Sequence, residues 1–121
     1  MQRELPIAEI DGVDFYVDAE REELRQVDSP GNCISFSVFH SKNNGYYFIY
    51  NRKSRCWSWD KSYINGHLGD HLVVTLPALM ELDPEGMAIR YEIPLEMLSP
   101  DSLPKPPKRV TAALSPLSRC L

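Results

Sequence analysis

The sequence predicts an α+β fold made mainly of antiparallel β hairpins in a meander, with one or two short helices toward its C-terminal end and an extended proline-rich tail. Three observations carry that prediction. Apolar and polar residues alternate with period two in several short segments, the pattern of half-buried strands. Clusters of Gly, Asn, Asp and Pro separate those segments. A helix start signal stands at Asp83-Pro84-Glu85, with an N-cap carboxylate, a proline at the first helical position and an acidic group near the positive end of the dipole.

Taken in order, Leu5 to Val27 reads as three strands. Asp11-Gly12 supplies the two-residue hairpin turn, and Phe15 and Val17 alternate with Asp14, Tyr16 and Asp18 after it. Asp28 to Asn32 is a run of turn formers. Ile34 to Phe39 then predicts a strand, answered by Tyr46 to Tyr50 across the loop Ser41 to Gly45. Asn51 to Arg55 reads as a polar turn, and Cys56 to Asp60 as a further strand with Trp57 and Trp59 on one face. Lys61 to Asp70 shows no periodicity and is expected to be a loop, before a last strand from His71 to Leu76. Pro84 to Tyr91 is the expected helix, with Met87, Ala88 and Tyr91 inward and Leu82 and Met87 stapling its start. One more helical turn is expected within Ile93 to Leu98.

A length of 121 residues suits one domain, placed at 1–99, and residues 100–121 read as a flexible basic tail because Pro100, Pro104, Pro106 and Pro107 fall so close together. The start of the chain carries Arg3, Glu4 and Glu9, so no secretory leader is expected. Apolar runs fall short of the roughly 20 residues a bilayer demands. Cys33, Cys56 and Cys120 form neither a dense framework nor a CxxC pair, which points to a reducing cytoplasm.

The net charge of −4 is unevenly spread. Residues 32–67 carry 5 basic groups against 1 acidic, whereas residues 1–31 carry 3 against 9 and residues 68–103 carry 1 against 7. Nine of the 12 aromatic residues lie in that basic block. Coinciding rings and cations make Tyr47, Arg52, Lys53, Arg55, Trp57, Trp59 and Lys61 the candidate binding residues. Tyr, Trp and Arg are the types that dominate protein interaction hot spots. The same surface would stack bases and meet phosphates if the partner were a single-stranded nucleic acid.

Catalysis and metal binding fare worse. His67 and His71 have ligand spacing only if they share a helix face, and no second pair accompanies them. A small metal-dependent enzyme is therefore the least favoured reading. Neither a Gly-rich phosphate loop nor a dinucleotide fingerprint occurs. A non-enzymatic domain with no cofactor is expected.

Several segments bear on family. Leu5-Pro6, Ile10-Asp11-Gly12, Phe15-Tyr16-Val17-Asp18, Glu23-Leu24-Arg25-Gln26, Asp28-Ser29-Pro30-Gly31-Asn32 and Ile34-Ser35-Phe36 are joined later by Leu76-Pro77 and Leu82-Asp83-Pro84-Glu85-Gly86-Met87-Ala88 with Tyr91. Across residues 4–98 this pattern resembles a small bacterial module found in conjugative and other mobile elements. The resemblance implies an accessory or interaction module and transfers no active site, because the matched residues are turn formers, strand apolars and a helix cap. This chain departs from the pattern at Cys56 to Asp60, at Lys61 to Asp70, and at Glu92 where a glycine is usual.

Overall fold

Asp11 and Gly12 take φ values of 52° and 80°, the paired left-handed conformations of a hairpin turn whose twist matches the strands it joins. In the computed structural model, which describes residues 5–42, 45–78, 82–92 and 109–117, this turn folds β1 (Ile7–Ile10) back on β2 (Val13–Asp18). β3 (Glu23–Gln26) and β4 (Cys33–Ser35) continue the sheet, Leu24 lying opposite Val17 on one side and Ile34 on the other. The alternation read from the sequence thus puts Ala8, Ile10, Phe15, Val17, Leu24 and Ile34 in the core, all fully buried.

A second sheet is organised around β6 (Gly45–Asn51), which pairs along its whole length with β8 (His71–Pro77). Its other edge takes β5 (His40–Lys42) first and β7 (Cys56–Trp57) last. Phe48 lies opposite Val74, and both are buried with Tyr50 and Leu76. At Gly45 the two backbones are so close that a Cβ would strike the Leu76 carbonyl. The buried sets of the two sheets form one cluster. Phe15 from the first sheet meets Tyr50 from the second edge-on, ring centres 6.3 Å apart.

One short segment belongs to both sheets. β9 (Arg109–Thr111) pairs parallel to β1, and β10 (Ala113–Pro116) pairs antiparallel to β8. Between them Ala112 is buried, its N–H donating to the Glu9 carbonyl at 2.9 Å. The strand orders β4-β3-β2-β1-β9 and β10-β8-β6-β5 are therefore joined at one corner through Ala112 and at the other through a 3-10 turn, Phe36–Val38.

Among the described residues the architecture is ten strands, mostly antiparallel, and two short helices, in keeping with an α+β class. Two expectations about the strands change. The Ile34 to Phe39 strand is broken after Ser35, whose hydroxyl accepts the Ser37 N–H and so favours a local turn over the ladder. Residues 109–117, read as flexible tail, form paired strands because the free edges of β1 and β8 need partners and because Arg109 is held by Asp14 and Glu9 at 2.6 Å each. Those two carboxylates, Asp14 foremost, hold the guanidinium above its ordinary pKa. The proline run at 100–107 and the expected turn within 93–98 lie outside the described residues.

The second helix, α2 (Pro84–Arg90), begins at Asp83 as read, following the first, α1 (Lys61–Gly66). Ala88 is buried and Met87 packs on the core, but Tyr91 is the C-cap and points outward, exposed at 58%. Its backbone has already left the helix, so it no longer lies on the buried face.

Candidate binding surface

One edge of β6 changes partner between Tyr47, the last residue paired with β5, and Tyr50, the first paired with β7. At this break the Ser58 N–H donates to the Ile49 carbonyl at 2.9 Å. A concavity of about 450 Å³ opens there. Val38 and His40 form one wall, Trp57, Ser58 and Trp59 another, and Lys61 and Ile64 reach it from α1. The lining is chiefly apolar with a few polar groups, the usual character of a ligand site.

Residues 61–70 were expected to be a loop, yet they hold α1 followed by a 3-10 turn, Leu68–Asp70. The Asp60 carboxylate accepts the N–H groups of Ser62 and Tyr63 at 2.9 and 3.2 Å and starts the helix. A helix of six residues is too short to display a period, so the aspartate before Lys61 was the available signal. Ile64 is its one buried side chain.

Behind the concavity lies a histidine arrangement. His71, the first residue of β8, is buried, with Nδ1 2.7 Å from the His67 carbonyl and Nε2 2.9 Å from Ser58 Oγ. His67 in turn sets Nδ1 2.9 Å from the Tyr63 carbonyl, and its ring stacks on Tyr63 at 4.2 Å. Facing carbonyl oxygens, both Nδ1 atoms act as donors and offer no lone pair to a cation. Among the described residues no three His, Cys, Asp or Glu side chains gather as a metal site.

The seven candidate residues divide into two groups. Trp57, Trp59 and Lys61 line the concavity, and Tyr47 approaches it through its stack on His40 at 5.1 Å. Arg52, Lys53 and Arg55 instead occupy the turn at the far end of β6, shaped by Asn51 Oδ1 accepting the Lys53 and Ser54 N–H groups. Arg52 is paired with Asp11 at 2.9 Å and Lys53 with Asp70 at 3.5 Å. Arg55 takes a left-handed φ of 59°, and its carbonyl accepts from Asn32 at 2.7 Å.

The tryptophans do not share a strand face. β7 stops at Trp57, which is half-buried against the core, whereas Trp59 is 73% exposed. Chain direction changes there because Asp60 commits the next residues to α1. Sequence reasoning missed His40, Ser58 and His71 as members of this surface, since pairing across β6 brings them together rather than any linear spacing.

Cys33 and Cys56 are free and half-buried. Burial, and next the Glu23 carboxylate, push the Cys33 thiol above its ordinary pKa, which disfavours the reactive thiolate. No helix among the described residues is long and apolar enough to cross a membrane. Neither the family models, the curated proteins nor the solved structures gave a match to this chain.

Proposed function

We propose that the chain is a protein-interaction domain of the cytoplasm that acts by binding, an accessory module of the kind mobile elements carry. A partner's apolar side chain seats in the concavity between Trp57 and Trp59, and Lys61 meets an acidic group beside it. The observation that carries this reading is the exposure of Trp59 next to an apolar hollow. A tryptophan left in water beside a formed concavity regains about 2 kcal/mol or more when a partner covers it.

Protein is favoured over nucleic acid because Arg52 and Lys53 already have carboxylate partners. A phosphate would have to compete with Asp11 and Asp70 for them. The test is a peptide display selection on the immobilised domain, with the affinity of the selected peptides measured by isothermal titration calorimetry. Enriched sequences should place an acidic residue beside a large apolar one, and Trp59→Ala should weaken them at least about tenfold. Binding of single-stranded oligonucleotides at about 50 mM salt that disappears near 200 mM would support the nucleic-acid alternative instead.

A further inference from the structure

The geometry points to Ser58 as a nucleophile primed for covalent acylation by activated esters that enter the concavity. The position of one hydrogen sets the roles of the two side chains. The His67 carbonyl oxygen can only accept, and it lies 2.7 Å from His71 Nδ1, so that nitrogen carries the hydrogen. In the neutral ring Nε2 then has the lone pair, and the 2.9 Å contact requires the Ser58 hydroxyl to donate into it. That is the hydrogen bond by which a histidine base activates a serine.

The two groups are held firmly and differ in access. Ser58 is fixed by its N–H bond to Ile49, and His71 begins β8 opposite Asn51 of β6. The His71 ring is 1% exposed, with the Tyr63 ring set edge-on at 5.8 Å, whereas Ser58 lines the concavity. The base is buried, and the half-buried serine borders the concavity. A backbone carbonyl does here the orienting that a carboxylate does in Ser-His-Asp triads, fixing the tautomer without adding charge. Linear spacing concealed the pair, because Ser58 and His71 are separated by 13 positions and α1.

In the reaction, Ser58 Oγ bonds to the ester carbonyl carbon while its proton passes to His71 Nε2. The carbon–oxygen bond to the leaving group breaks, and the departing oxygen keeps the electron pair. That oxygen takes the proton from Nε2 and leaves as an alcohol or phenol. The products are an acyl ester of Ser58 and neutral His71. This half-reaction does not depend on which partner the surface binds.

The full chain is treated with a fluorophosphonate, which forms an Oγ–P bond as P–F breaks and releases fluoride and the serine proton to water. Adduct position is then mapped by peptide mass spectrometry. One adduct is expected, on Ser58, forming about 100-fold faster than on the exposed Ser54 and Ser62, in proportion to general-base assistance. Unfolding the chain in urea should abolish the preference, and Ser58→Ala should remove the adduct. Because the mapping uses the unsubstituted protein, loss of fold in a variant does not confuse the result. No adduct on Ser58 in the native chain, or labelling spread evenly over the serines, overturns the inference.

Discussion

The carboxylate of Asp83 accepts the N–H of Ala19 at 2.9 Å across 64 residues of sequence, while its other oxygen accepts the Gly86 N–H at 3.1 Å. One buried side chain thereby starts α2 and moors it to the end of β2. Asp83→Ala should lower the unfolding free energy by about 2–4 kcal/mol, because two N–H groups lose their acceptor in a site without water access. Urea denaturation checks this. Asp83→Asn should fall between the two, and a loss under about 1 kcal/mol would mean that α2 contributes little to the fold.

Tyr50 sits in the core with its hydroxyl unpartnered among the described residues. Burial, with the Asp11 carboxylate adding to it, pushes the phenol up to about 12. Between about pH 10, where the unfolded chain ionises, and about 12, the folded chain holds the extra proton. The stability this contributes is fully present below pH 10 and is lost as pH rises through 12, to the extent of about 3 kcal/mol. Tyr50→Phe should flatten that alkaline loss. At neutral pH it should stabilise by about 1 kcal/mol, since an unpaired buried hydroxyl is removed at nearly constant shape. Chemical denaturation at a series of pH values reads both effects.

The two tryptophans should separate stability from recognition. Trp57 packs on the core and its replacement by Ala should cost about 2 kcal/mol, less than a fully buried ring would. Trp59→Ala should shift stability by no more than about 0.5 kcal/mol. Thermal unfolding of the two variants, run beside the peptide titration, distinguishes them: equal destabilisation would mean that Trp59 is a packing residue.

Ala112 is the corner through which β9 becomes β10. Ala112→Glu would place a carboxylate where only a methyl fits and should cost about 3 kcal/mol or more. Deleting residues from Arg109 onward should uncover the edges of β1 and β8 and produce concentration-dependent association, detectable by sedimentation.

Local signals survived folding well. The Asp11-Gly12 turn, the inward set Phe15, Val17 and Leu24, and the Asp83 cap each act within a few residues, and each was readable from the chain. Features decided at long range were not. Residues 109–116 have no strong pattern of their own and are strands because distant edges lack partners. The candidate surface was half legible: rings and cations marked the right segment, but strand pairing decided that Trp57, Trp59 and Lys61 meet around Ser58 while Arg52 and Lys53 turn to Asp11 and Asp70.

The closure through Ala112 also sets an order of events. β1 can complete its pairing only when Arg109, 100 residues beyond Glu9, has arrived. Until then the first sheet exists as a meander with an open flank, and so does β8. Such remote contacts carry a loop-closure cost that local ones do not. The hairpins should therefore form early and the ring should shut last, giving a slow final phase. During that interval the uncovered flanks of β1 and β8 are available to other chains, so the protein is most prone to self-association while folding rather than once folded.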